Sequence, residues 1–249
     1  MKIIINADDL GLNREVNDAI FILMAERRIT SATLLANGPA VREAAQRVTE
    51  FPHCSFGVHL NLSEFRPLTV HPGLRPILAE NGCFAGNRLR EITLTHALRL
   101  GIFQEWSAQV ERLQSLGVRL SHFDSHHHMH TVPGVFPVMK RLQHRFGFRK
   151  VRLTMNLYLP DAPASRARLS TKAAWNFALR HWHRTTTTRR LTSFEIFSRT
   201  PKEKLRGCES VELMVHPGSA DYAQETQLLW TDWLKELPFP AQCISYNEL

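Results

Sequence analysis

Seven consecutive residues, Asp124-Ser125-His126-His127-His128-Met129-His130, carry four imidazoles and a carboxylate. Imidazole is a preferred ligand for borderline divalent metals, and alternate residues of an extended stretch share a face. One or two of these histidines are therefore expected to reach a metal. The stretch lies mid-chain between apolar segments, which argues against a purification tag. The theme recurs at three other places: Asp8 and Asp9 follow the run KIIIN, His59 and Asn61 follow SFGV, and His216 of His-Pro-Gly follows SVELMV. Singly, each has a plainer reading. Asp-Asp-Leu-Gly suits a helix cap or turn, His59 suits a satisfied half-buried histidine, and His-Pro-Gly suits a turn. Placed together at the ends of four apolar runs, they favour chemistry. A hydrolytic metal site needs few protein ligands and an open position for water. One carboxylate with two imidazoles meets that need, and adjacent aspartates can divide the work, one binding the ion and the other taking a proton from water.

Such residues meet only if the fold gathers strand ends. Apolar, β-branched runs recur at 2–6, 31–36, 55–60, 119–123, 150–154, 210–215 and 242–246, with helix-patterned segments between most of them. Alternating strands and helices imply βα units on a parallel sheet, whose strand C-termini converge on one face. The expectation is an α/β fold: an irregular, TIM-like (β/α) barrel of about seven mainly parallel strands, forming one domain over residues 1–249. An open doubly wound sheet is the alternative, but no GxGxxG follows a strand to support it.

The 249 residues, 43% of them hydrophobic, suffice for a sizeable core. No apolar run reaches the roughly 18 residues of a membrane span, and the N-terminus meets two aspartates before a secretory segment could form. Cys54, Cys83, Cys208 and Cys243 lie far apart without a CxxC pair, which disfavours thiolate metal sites and suits a reducing cytoplasm. The net charge of +8 is concentrated: residues 166–206 hold eleven Lys or Arg against Glu195 and Glu203. That segment, with Trp175, Phe177 and Trp182, reads first as a solvated helix and loop, with TTTT at 185–188 as a loop-like interruption. An anionic surface, a lipid interface or a nucleic acid are its functional alternatives.

NADDLG, GVHLNL, DSHHHMH and MVHPG, in this order and near these spacings, resemble the YdjC-like carbohydrate deacetylases, which include chitooligosaccharide deacetylases, and the resemblance runs to the closing ISYNEL. It implies an irregular βα barrel in which Asp9, His59 and His126 bind one divalent ion, magnesium or zinc. It further implies Asp8 as general base and His216 as acid or charge stabiliser in the hydrolysis of an N-acetyl amide on an amino sugar. Asn61, Asp124, His128 and His130 are expected to orient these groups or to touch sugar. The expected partner is an amino sugar or oligosaccharide, with a homodimer as one assembly and no nucleic acid. Membrane contact through residues 166–206 is the less favoured expectation. Rival readings are a glycolipid deacetylase at the membrane surface, a metal-dependent phosphoesterase, and a non-enzymatic basic binding protein. Two departures from the family stand out: Leu10 replaces the phenylalanine common in the aspartate motif, and the basic segment is not a shared feature.

Overall fold

In the computed structural model, which describes residues 1–159, 161, 164–182 and 184–249, strands and helices alternate. They are β1 Lys2–Leu10, α1 Arg14–Ala25, β2 Ser31–Leu34, α2 Val41–Arg47, β3 Ser55–Leu60, α3 His96–Ser115, β4 Leu120–Ser125 and α4 Phe136–Phe146. After these come β5 Lys150–Val151, α5 Arg166–His181, β6 Arg190–Ser193, α6 Phe194–Arg199, β7 Ser210–Val215, α7 Ala223–Leu229 and β8 Gln242–Cys243. Every strand pairing among the described residues is parallel, in the order β5-β4-β3-β2-β1-β7-β6, with β8 added beside β1. The two edges approach each other through a parallel bridge between Lys150 and Thr186 and through the Asn156 backbone N–H, which donates to the Leu191 carbonyl at 3.2 Å. The sheet thus curls into an irregular, incompletely closed barrel, the first of the two arrangements expected from the alternating pattern. β6 falls outside the apolar runs of the sequence, since RLTS is short and half polar.

Local chemistry explains the helices. Asn13 caps α1 by accepting from the Val16 N–H, and Val16, Ile20, Phe21, Leu23 and Met24 recur at the spacing that buries one face. Thr95 caps the long α3 in the same way, and α4 stops where Gly147 turns left-handed, at φ 72°. Strands β1, β2, β3 and β7 are buried almost throughout, as expected of a parallel sheet covered by helices.

β8 occupies the start of β1, pairing with Lys2 and Ile3, whereas β2 joins β1 only from Asn6 onward. The tail after β8 then folds under the barrel. Tyr246 stacks on His122 with ring centres 3.6 Å apart, and its N–H faces the hydroxyls of Ser31 and Ser55. Its phenol donates to Glu212 at 2.5 Å.

The TTTT stretch is more than a loose interruption. Thr185 and Thr188 are buried, and the Thr185 hydroxyl accepts from the amine of Lys140.

Candidate metal centre and active site

The aspartate pair sits on a bulge. In the β1–β2 register Ala7 faces Ala32 and Leu10 faces Leu34, so Asp8 and Asp9 together oppose Thr33. Asp9 takes φ 68°, a left-handed conformation that aspartate tolerates better than most residues. Adjacent strand residues ordinarily point to opposite faces; the bulge brings both carboxylates into the barrel mouth.

Asp9 meets the imidazoles. Its Oδ1 lies 2.7 Å from His126 Nδ1 and 3.3 Å from His59 Nε2, and the three residues form a group able to hold a metal ion. Asp9 Oδ1, which faces both imidazoles, is buried without a hydrogen bond of normal geometry, and so is His126 Nε2 on the ring edge toward Glu64; both atoms are available to a cation. Two imidazoles and a carboxylate favour zinc or another transition ion on ligand preference, so the donor set fits a divalent ion of the kind the family resemblance implies. The β3–β4 register sets His59 opposite Asp124, whose Oδ1 is 2.6 Å from His59 Nδ1, while the Thr33 hydroxyl donates to the other Asp124 oxygen. With Nδ1 engaged, Nε2 is available to a metal ion, the usual carboxylate–histidine arrangement. Burial disfavours a charged His59, but Asp124 and Asp8 outweigh it and raise its pKa to about 10. Against the same burial, Asp9 and Glu64 raise His126 to about 8. An arriving cation would displace these protons.

Asp8 is held differently. Both its oxygens accept from Arg152, at 2.6 Å each, and Asn6 donates to Oδ1 at 3.0 Å. Burial pushes the Asp8 carboxyl up, but Arg152 and His59 win and hold it well below the usual carboxylate range. Arg152 is fully buried and also reaches Asp124 and Glu212, each at 2.7 Å. On the far side, His216 Nε2 lies 4.0 Å from Asp8 Oδ2, and the ring stacks on Tyr222. The His216 backbone N–H donates to Glu225 at 2.6 Å, ring Nδ1 lies 3.6 Å from the same carboxylate, and Glu225 with Asp8 raises the His216 pKa against its burial.

The histidine cluster is not extended, so the expected alternation of faces does not hold. Residues His126–Thr131 form a tight turn in which His127 and His128 are both left-handed, with φ 51° and 54°. Only His126 points at Asp9. His127 turns outward to Ser63, and His128 borders a cavity of about 360 Å³. His130 is buried, bonded to the Ser125 hydroxyl at 2.6 Å and facing the Arg152 carbonyl. Asn61 stays off the centre: it accepts from the Ser63 and Glu64 N–H groups and so folds the loop that presents Glu64. Trp175 is buried against His130 and Phe136, which removes it from any surface role.

Several participants were not read from the sequence. Arg152 and Glu212 are charged residues inside the apolar runs KVRLT and SVELMV, and that interruption was the available signal. Glu64, 3.5 Å from His126 Nε2, belongs with His126 and His127 to a second potential donor group, and its loop position gave no signal.

Comparison with known proteins agrees with this architecture. Carbohydrate deacetylases from Geobacillus stearothermophilus and Halalkalibacterium halodurans are 39% and 37% identical over 167 and 147 residues. Those matches cover 64% and 59% of this chain, but only 66% and 61% of the relatives' own lengths. In fold, the chain superposes on a solved protein of Enterococcus faecalis V583 named for cellobiose-phosphate cleavage, with a TM-score of 0.76, 23% identity and coverage of 99% and 98%. The catalytic domain of a peptidoglycan N-acetylglucosamine deacetylase from Eubacterium rectale shares the fold more distantly, with a TM-score of 0.50, 10% identity and coverage of 98% and 88%. The family model described as YdjC-like protein matches residues 2–241, so the chain belongs to the YdjC-like family.

Proposed function

We propose that this chain, acting as one domain over residues 1–249, hydrolyses the N-acetyl amide of an amino sugar or chitooligosaccharide and releases acetate. The observation that carries the reading is the convergence of Asp9, His59 and His126, with Asp8 on one side and His216 beyond it. The names of the curated relatives agree with it. Asp9, His59 and His126 would hold one divalent ion, zinc or magnesium, which would supply acidification of water and polarisation of the acetyl carbonyl.

The remaining steps belong to side chains. Asp8, kept ionised by Arg152, accepts a proton from the attacking water as the new C–O bond forms. The C–N bond then breaks, and His216, whose protonated form Glu225 and Asp8 favour against burial, donates a proton to the departing amine. Asp124 fixes the His59 ring, while His130 buttresses the Arg152 backbone. His128 borders the adjoining cavity, where a sugar would lie.

The test is acetate release from N,N′-diacetylchitobiose by metal-stripped protein resupplied with zinc or magnesium, with His126→Ala as control. Metal-dependent release that the variant lacks is expected; no release from any N-acetyl sugar would refute the reading. A phosphoesterase gains one observation, the Glu64–His126–His127 donor group that shares His126 with the first and could seat a second ion. Phosphate release from an aryl phosphate in place of acetate release would select it.

A further inference from the structure

Helix α5 has two unlike faces. Inward, Trp175, Asn176 and Leu179 are buried, and Arg168, Thr171 and Lys172 line the cavity that His128 borders. Outward, Ser170, Ala173, Ala174, Phe177 and His181 form an exposed stripe at helical spacing, continued by Trp182 at the helix end. Phe177 is 62% exposed, Trp182 64% and Leu169 39%, and the Phe177 ring stacks on His181 4.0 Å away. A soluble surface seldom concentrates large aromatic groups in this way without a partner.

The charge around the stripe has one sign. Arg166 starts the helix that carries Phe177, and Arg180, whose guanidinium donates to the Thr188 and Arg189 carbonyls, adjoins a groove lined by Arg189, Arg190, Lys204 and Arg206. Arg189 pairs with Glu209, and Arg199 with Glu195 and Asp161. Among the described residues, Arg166, Arg168, Lys172, Arg180 and Arg190 have no carboxylate within ion-pair distance. A second copy of the chain would set these cations against their own kind. A nucleic acid would follow the basic groove and leave the apolar stripe uncovered.

We propose that the outward face of α5 docks on an anionic membrane surface. Phe177 and Trp182 enter the headgroup layer, and the flanking arginines meet lipid phosphates. No helix among the described residues is long and apolar enough to cross a membrane, so the attachment is peripheral. Because the inner face of the same helix lines the cavity beside His128, docking would hold the mouth of the candidate centre close to the lipid headgroups.

The test is co-flotation of the full chain with vesicles of phosphatidylcholine, with and without phosphatidylglycerol. Binding is expected only to the anionic vesicles and should weaken roughly tenfold or more in the Phe177→Ser/Trp182→Ser double variant. An unchanged thermal unfolding curve would show that this variant is folded. Arg180→Gln/Arg190→Gln should weaken binding and flatten its dependence on salt. Absence of flotation, or equal flotation of the aromatic variant, overturns the proposal. So does a dimer, or binding to single-stranded DNA, that is lost in that variant while no flotation occurs. Flotation requires no turnover, so its result stands apart from that of the deacetylation assay.

Discussion

Arg152 is the one cation shared by three buried carboxylates, those of Asp8, Asp124 and Glu212. Arg152→Met would leave these acids facing one another, and unfolding in urea should show a loss of about 3–5 kcal/mol. Arg152→Lys should restore little, because a single ammonium cannot reproduce the two-pronged grip on Asp8. For Asp8→Asn, acetate release should fall by roughly 10²–10⁴-fold, while calorimetric metal binding persists. The pH dependence of stability has a definite sign. Asp8 lies well below its ordinary value in the folded chain and returns to about 3.9 on unfolding, so the unfolded state takes up the proton first. Its stabilising share is complete above about pH 4 and is lost as pH falls from there toward the folded value. In chelator, the stability gap between the parent and Asp8→Asn should therefore narrow between about pH 4 and pH 2. The four motifs that supply Asp8, Asp9, His59, His126 and His216 were legible because their side chains are rare at the ends of apolar runs. Arg152 was not, because a lone arginine in KVRLT reads equally well as the solvent-facing member of an alternating strand.

Strand register is the device that aligns those residues. Phe56 pairs with Leu120 and Val58 with Phe123, so Gly57 lies opposite the extra residue of a bulge at Ser121–His122. A Cβ on Gly57 would stand 2.7 Å from both the His122 ring and its carbonyl. Gly57→Ala must therefore push the two strands apart just before the rung at which His59 meets Asp124. The expected outcome is a loss of about 1–3 kcal/mol in thermal unfolding, with weaker metal binding in titration calorimetry. A return of full metal affinity in Gly57→Ala would separate the register from the centre. Alternation of strands and helices could be read from apolar periodicity, since it depends on local pattern. The two bulges and the left-handed turn at His127 and His128 could not, because a one-residue offset depends on what the partner strand presents. The expectation of an extended histidine cluster failed for that reason.

Across the whole molecule, the barrel is sealed from beneath by the tail after β8, where Tyr246 reaches Glu212, which in turn holds Arg152. Burial raises both the Tyr246 and Glu212 pKa values, so their contact is that of a phenol donating to a reluctant acid. Tyr246→Phe should lower stability by about 1–3 kcal/mol by leaving a buried oxygen unsatisfied, a difference measurable in urea. The tail was read from the sequence as a final strand run and as the end of the family resemblance, but nothing in QCISY announces a hydrogen bond to a residue thirty-four positions earlier. That link also orders events in time during synthesis. Asp8 leaves the ribosome before Tyr246, so the nascent chain carries that carboxylate well ahead of the residue that braces Glu212 and, through it, Arg152. The buried charge network around Arg152 therefore closes only after the segment that carries Tyr246 has emerged.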